Sequence, residues 1–525
     1  MKGVIAAGHS ITAKAGIDML RSGGNAFDAA IAAAFASFVC ESALTSIGGG
    51  GFLTAHSAAG ETILYDFFSN VPGIGKNRRK ENLHFFPLDI DFTGATQEFH
   101  IGRGAAAVPG SMAGLSEVVK AHCTLPLTSL LHPAITAARY GFKLNAQQAY
   151  FNKILTPILT TTDDGKKIYA PNGHLLKEGD TIIKKDLADT IEILANDGLH
   201  TFYDGAIAAK LLDTFGKDGL ITEEDLNCYS VDIRKPLEIN YRGSRLYTNP
   251  PPSSGGCLIA FSLKILEKYD LISLGHNSPQ YLGLLQKVMK ITDEARGRDF
   301  DQKVYEKNME KKFLSAGRID EYSEKLDRVS FVKPGIAGRS IGSTTQISVM
   351  DSEGNAVSVT TSNGEGCGYI IPGTGVMMNN MLGEEDINPH GFHTQKPGTR
   401  LSSMMSPTIV MKDGRPEIVL GSGGSNRIRN AVIQVILNIL DFKLSAFDAV
   451  NASRTHWDGA LFQVENGVAD ETINRLAEDK IPVNRWNGKN MYFGGVHTVV
   501  MDSEKNFMNG AGDMRRGGVF MKCEE

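Results

Sequence analysis

No C-x-x-C pair occurs among the six cysteines, Cys40, Cys123, Cys228, Cys257, Cys367 and Cys523. That spacing excludes a zinc ribbon, a thioredoxin-type site and a disulfide framework, and it fits a reducing compartment. No run reaches the roughly 18 apolar residues of a membrane helix. The nearest, Ala26 to Val39, contains Asp28 and stops before Glu41, so it reads as a buried helix. Basic residues are not in excess: 54 Lys and Arg against 59 Asp and Glu give a formal charge of -5, and neither a nucleic-acid nor a membrane partner is expected. The chain opens at Met1-Lys2-Gly3-Val4 directly into a patterned segment. Without a charged n-region and an apolar h-region there, the expected location is cytoplasmic. Neither G-x-x-x-x-G-K-[ST] nor H-E-x-x-H occurs. His9, His56 and His497 stand alone and read as structural, so no metal and no cofactor are expected.

What is present is an ordinary globular composition, 42% hydrophobic and 22% charged, over 525 residues. Length alone suggests roughly three domains, although large α/β enzymes often run as one unit. The first third reads as helical: Ile11 to Arg21, closed by Gly23-Gly24, then Ala26 to Val39. Gly48-Gly49-Gly50-Gly51 follows, a run whose entropy cost implies close backbone approach. Phe52–His56 and Thr62–Phe67 read as two strands. The middle, from about Met112 to Ser330, reads as mostly helical, interrupted by Pro250-Pro251-Pro252-Ser253-Ser254-Gly255-Gly256. The charge-rich stretch Thr292–Lys333 reads as a solvated helix leading into a Pro/Gly segment, Lys333 to Ser340.

Beyond this linker the pattern alternates. Thr345–Met350 turns at Asp351–Asn355 and returns as Ala356–Thr361. Thr408–Met411 turns at Lys412-Asp413-Gly414 and returns as Glu417–Leu420. Val496–Met501 turns at Asp502–Asn506 before Phe507. Three such hairpins predict an antiparallel sheet, with helices at Ile428–Leu440 and Phe447–Ser453. The whole predicts a layered α/β (α+β) protein whose second half carries much of the sheet.

One G-x-S-x-G string exists, Gly338-Arg339-Ser340-Ile341-Gly342, but a loop precedes it and a strand follows, the reverse of a nucleophile elbow. The informative junction is Gly342-Ser343-Thr344-Thr345. Taken alone, its residues leave two readings open: a loop entering a strand, and a Thr nucleophile exposed by chain cleavage. A freed α-amino group, with a pKa of about 7.7–8.0, would serve as base for its own hydroxyl. No catalytic His would then be needed.

Motifs in order along the chain resemble those of the γ-glutamyltranspeptidase family. They are Gly23-Gly24-Asn25-Ala26-Phe27-Asp28-Ala29-Ala30, Gly48–Phe52, Val108–Gly114, Ala137–Phe142, Thr222–Leu226, Tyr241-Arg242-Gly243, Pro250–Gly256, Gly354–Val357, Asn379-Asn380, Leu401–Met404 and Ser406-Pro407-Thr408. The resemblance implies a four-layer αββα sandwich of N-terminal-nucleophile hydrolases. It also implies self-cleavage into a large segment, 1–343, and a small segment, 344–525, that together form one catalytic unit. Thr344 would be the nucleophile and Ser362 the hydroxyl that holds it. Gly423 and Gly424, or Gly424 with Ser425, would form the oxyanion site. Ser402 and Ser403 would contact substrate, and Glu384 would receive its α-amino group. The partners implied are a small γ-glutamyl donor such as glutathione, with water or an amino acid as acceptor, and the paired fragments form a heterodimer open to further association.

Two departures bear on substrate. The family places an Arg after the Asp-Phe strand end to clamp the donor's α-carboxylate, and here Asp66-Phe67 is followed by Phe68. The Asn expected two residues past Ser362 is Gly364. An aromatic ring does not replace a bidentate Arg–carboxylate pair. The sequence therefore implies a γ-glutamyltransferase/hydrolase with hydrolysis favoured. The alternatives are an amidase for a different acyl group, like the cephalosporin acylases, and an unprocessed inactive homologue.

Overall fold

The computed structural model describes residues 2–76, 82–91, 96–326, 342–388, 390–502 and 507–524. The linker Lys333–Ser340, the G-x-S-x-G string up to Ile341 and the turn residues 503–506 lie outside them. Two sheets form the centre. A seven-stranded sheet runs Val519–Cys523, Gly3–Ala7, Thr345–Asp351, Ala356–Ser362, Gly50–His56, Thr62–Phe67, Asp232–Arg234. A six-stranded sheet runs Phe507–Ala511, Gly495–Asp502, Arg415–Gly423, Thr408–Lys412, Ser244–Thr248, Leu237–Tyr241. The helices Ser10–Arg21 and Ala26–Cys40 cover the first sheet, and Gly255–Leu266 and Arg427–Leu440 cover the second. This is the expected αββα order.

The central strands of the two sheets are buried on both faces, which is why Thr345–Asp351 has no exposed residue despite its alternation. Ile347 and Val349 face the helices, while Met350 joins Val4, Ile409 and Val419 between the sheets. At the other end of that strand the layer between sheets is polar. Gln346 donates to Ser348 (3.0 Å) and Ser358 (2.9 Å) and accepts from Thr360 (2.6 Å). Buried polar groups are tolerated only when paired in this way, and the satisfied network fixes the register beside Thr344.

The Ala-rich helix Ala26–Cys40 is capped by Asn25, which exchanges hydrogen bonds with Asp28 as a capping box. All of its residues are buried, because alanines let neighbouring helices and the sheet approach from every side. The middle third is less helical than its pattern suggests: Asp232–Arg234, Leu237–Tyr241 and Ser244–Thr248 are strands of the main sheets. The charged stretch from Thr292 is not one helix. Pro279–Ala295 passes into a π-turn, Arg296–Phe300, and then short helices at Met309–Phe313 and Ala316–Lys325. None of the six cysteines is paired, and no helix among the described residues is long and apolar enough to cross a membrane. The three isolated histidines are structural: His9 caps a helix, His56 pairs with Thr62, and His497 accepts from Asp513 N–H.

Candidate active site

Thr344 sits one residue before its strand, at the open end of the first sheet. Its Oγ1 lies 2.8 Å from the carbonyl oxygen of Ser343 and 3.3 Å from Ser362 Oγ. Ser362 donates to the same Ser343 oxygen at 2.5 Å and accepts from Gly364 N–H at 3.0 Å. The preceding peptide is held from other sides as well. Ser343 N–H donates to Glu365 (3.2 Å), and Arg516 donates to the carbonyls of Gly342 (3.1 Å) and Thr344 (3.3 Å). Glycines make the approach possible: a Cβ on Gly423 would stand 2.1 Å from Thr344 O, and one on Gly49 would stand 2.3 Å from Ser362 O.

A cleft opens at Thr344. Ser343, Ser362, Ser403, Ser425 and Asn426 line it together with Glu384 and Asp386, and an apolar wall is formed by Phe68, Met381, Ile387, Met404, Met405 and Ile428. The inferred site residues Thr344, Ser362, Glu384, Ser403 and Ser425 thus meet in one place. Ser402 is half-buried and does not line the cleft. Gly423 and Gly424 pack behind Thr344, against its carbonyl and Arg516 respectively, rather than lining the cleft. Asp386 accepts from Ser425 Oγ and from Asn426 (2.8 Å), which fixes the start of the helix Arg427–Leu440. No group of His, Cys, Asp and Glu among the described residues has the arrangement of a metal site.

Acidic groups dominate the polar side. Burial, followed by the charges of Glu365 and Asp386, pushes the Glu384 carboxyl well above the ordinary carboxylate range. Burial raises Glu365 to about 8, against the N–H of Ser343 that favours its ionised form. Glu384 Oε1 and Glu365 Oε2 are buried without a hydrogen-bond partner among the described residues. Gly364, where the family expects Asn, has φ +58, and a Cβ there would stand 2.2 Å from Glu384 Oε1. Asn380 Oδ1, at 2.0 Å, and the glutamate's carboxyl together occupy the space of the missing side chain.

Phe68 is 1% exposed and stacks on Phe52 with centroids 5.5 Å apart. Arg400 lies behind it and does not enter the cleft. Its guanidinium donates to the Phe68 carbonyl, Tyr229 Oη (2.6 Å) and Ser230 O (2.6 Å), between Asp66 (3.6 Å) and Asp232 (3.5 Å). Arg427 is buried over Tyr492 and donates to its carbonyl at 3.1 Å. Arg296 is held by Asp301 (3.0 Å) and Asn426 (2.7 Å). No Lys, Arg or His is among the described residues lining the cleft.

Two positioning residues were not legible in the sequence. Glu41 accepts from Thr12 (2.7 Å) and Thr345 (2.5 Å), so it anchors the residue next to Thr344. Burial raises it to about 7, opposed by those hydroxyls. Arg516 is 2% exposed and touches both sides of the Ser343–Thr344 bond. They lie 304 and 172 residues from their partners in the nucleophile segment, and no local pattern marks either.

A family model described as Gamma-glutamyltranspeptidase matches residues 12–523. The chain is 33% identical over 499 residues to the glutathione hydrolase proenzyme of Escherichia coli (strain K12), covering 90% of this chain and 84% of that one. It is 30% identical over 496 residues to the Acylase ACY 1 proenzyme of Pseudomonas sp. (strain SE83), with 90% and 86% covered. Among solved structures, cephalosporin acylase from Bacillus halodurans is similar with a TM-score of 0.84 at 25% identity, over 99% of this chain and 95% of that chain. Helicobacter pylori gamma-glutamyltranspeptidase is similar with a TM-score of 0.54 at 31% identity, over 61% and 90%. With a family match across nearly the whole chain, on this fold and around this cleft, the protein is an enzyme of the N-terminal-nucleophile hydrolase type and belongs to the gamma-glutamyltranspeptidase family.

Proposed function

We propose that the chain is a proenzyme that cuts its own Ser343–Thr344 bond and then uses Thr344 as the nucleophile of a small-amide hydrolase. The arrangement of Thr344 Oγ1 and Ser362 Oγ around the Ser343 carbonyl carries this reading. In self-cleavage Thr344 Oγ1 attacks the Ser343 carbonyl carbon and gives up its proton. The C–N bond breaks, the nitrogen takes a proton, and the ester left between Ser343 and Thr344 is hydrolysed by water. The products are a Ser343 carboxylate and a free Thr344 amine. That amine is then the base for the adjacent hydroxyl. In turnover the hydroxyl attacks the substrate amide, the leaving amine departs protonated, and water or an acceptor amine resolves the acyl-enzyme. The backbone N–H of Ser425, the residue of the Gly423-Gly424-Ser425 turn that lines the cleft, is the candidate oxyanion donor, worth on the order of 3 kcal/mol.

γ-Glutamyl amides of the glutathione type are the first donors to assay, with Glu384 and Asp386 receiving the donor's amine and hydrolysis ahead of transfer. A second reading, an amidase for another acyl group, is favoured by Phe68 and by the likeness to acylases. A gel and mass spectrum of the purified protein test the core reading. They should give fragments 1–343 and 344–525, the smaller beginning at Thr344, and the pair should release aniline from a γ-glutamyl anilide or a related acyl anilide. A full-length chain that stays intact yet active sinks it.

A further inference from the structure

We propose that this cleft selects acyl donors presenting an ammonium group to Glu384 and Asp386 and a neutral or apolar group, not a carboxylate, to Phe68. The proposal rests on the reading of Thr344 as an acyl-transfer nucleophile and names the acyl group it takes.

Two independent features carry it. The first is the sign of the polar wall. Glu384 and Asp386 line the cleft, Glu365 stands next to them, and among the described lining residues no cation faces them. Glu384 Oε1 and Glu365 Oε2 are sealed from solvent with no donor, and an unmade hydrogen bond of this kind is costly. A ligand ammonium set against Glu384 and Asp386 in the cleft favours the ionised form of Glu384, beside arginines, Arg296 and Arg427, whose own hydrogen bonds go to Asp301, Asn426 and the Tyr492 carbonyl. A ligand carboxylate adds one more negative charge where burial and the charges of the neighbouring acids already hold the Glu384 carboxyl in its neutral form.

The second feature is the opposite wall. Phe68, Met381, Ile387, Met404, Met405 and Ile428 form a surface of rings, thioethers and branched aliphatics. The Arg400 guanidinium, behind Phe68, is turned away and occupied by Tyr229, Ser230 O and the Phe68 carbonyl. Asp66, which is fully buried, holds it there together with Asp232. Release of Arg400 toward the cleft would forfeit its hydrogen bonds to Tyr229 and Ser230 O and its charge pairing with Asp66, which would be left to Arg234. A charged carboxylate docked on Phe68 would lose its water and gain no partner.

The acyl groups this defines are ω-amino acyl chains such as 4-aminobutanoyl, and γ-glutamyl chains whose α-carboxylate is masked as an amide or ester. Four anilides, 4-aminobutanoyl, γ-glutamyl, glutaryl and butanoyl, vary the amine and the carboxylate separately. Assayed with the self-cleaved enzyme, the 4-aminobutanoyl compound should have the highest kcat/KM, by about tenfold to hundredfold over each of the others, the range for one hydrogen bond to a charged group. Faster turnover of the γ-glutamyl or glutaryl compound means the carboxylate is read and overturns the proposal. Equal turnover of butanoyl and 4-aminobutanoyl means the amine is unread and overturns it too. If none of the four is turned over by protein whose small fragment begins at Thr344, the acyl-transfer reading itself fails. Glu384→Gln should lower kcat/KM for the 4-aminobutanoyl compound about tenfold more than for the butanoyl compound, whereas a merely structural defect would lower both alike. Phe68→Arg, provided it still self-cleaves, should move the preference toward γ-glutamyl by tenfold or more. An unchanged preference in both variants overturns the assignment of the two walls.

Discussion

Ser362 donates its hydroxyl to the same Ser343 carbonyl oxygen that Thr344 Oγ1 approaches, at 2.5 Å and 2.8 Å. The cause is strand register. Thr345 faces Thr361 in the antiparallel pair, so Thr344 and Ser362 meet one rung further on. As Thr344 attacks, negative charge grows on that oxygen, and Ser362 is placed to stabilise it. Ser362→Ala should therefore slow fragment formation about a hundredfold, the cost of losing one preorganised donor. Ser362→Thr keeps the hydroxyl and should process near the normal rate. A time course on gels checks both, and an unimpaired alanine variant would remove Ser362 from the mechanism.

Thr344→Ala should leave the chain whole and without hydrolase activity, because one hydroxyl serves both reactions. Thr344→Ser retains the nucleophile without its methyl group and should process and turn over slowly. Mass spectrometry of the small fragment, paired with an anilide assay, separates these outcomes. Activity in an uncut alanine variant would place the nucleophile elsewhere.

Alternation with Asp/Gly/Asn turns was enough to read the hairpins: Thr345–Asp351 with Ala356–Ser362, and Thr408–Lys412 with Arg415–Gly423, lie within a few residues of their expected bounds. Gly3–Ala7 carried no such signal, since five consecutive buried small and branched residues fit a core helix as well as a central strand. Leu237–Tyr241 and Ser244–Thr248 alternate cleanly around Arg242-Gly243, yet the helical segments on either side mask them. At the site, Thr344, Ser362, Glu384, Ser403 and Ser425 were readable because the resemblance supplies their spacing. Glu41 and Arg516 were not, because only long-range packing brings them to Thr344. Phe68 was legible as a departure, but the capture of Arg400 behind it depends on Asp66, Asp232 and Tyr229 meeting in space.

Arg516 holds the carbonyls on both sides of the Ser343–Thr344 bond, so it presents the scissile peptide in one conformation. Lysine would keep the charge but cannot span two acceptors with a fixed fork. Arg516→Lys should accumulate full-length chain and slow self-cleavage about tenfold to hundredfold, with the cut still at Thr344. Once cleaved, the variant should lose less in anilide hydrolysis than in processing, because the Gly342 carbonyl leaves with the large fragment. The two rates measured on one preparation test this. An equal loss in both would make Arg516 a general structural support.

The pH dependence of stability should expose Glu41. Burial raises its carboxyl from an ordinary 4.5 to about 7 in the folded chain. The folded state therefore holds a proton between those values that the unfolded state releases. By linkage, the stability tied to that proton is complete below about pH 4.5 and is lost as pH rises through about 7. Glu41→Gln removes the titration while keeping the shape: its amide oxygen can accept from one of Thr12 and Thr345, and its NH2 can donate to the other hydroxyl. Both forms are best compared in the Thr344→Ala background, where the chain stays in one piece. The carboxyls of Glu365 and Glu384 titrate in the same direction, but they are present in both forms and cancel in the difference. Between pH 5 and pH 8 the chain with Glu41 should lose stability relative to the Glu41→Gln variant, by about 3 kcal/mol at most. Urea midpoints at a series of pH values give the sign directly. A difference that stays flat across this range, or that favours Glu41 as pH rises, would show that the carboxyl is ionised in the fold and that Arg516 outweighs its burial.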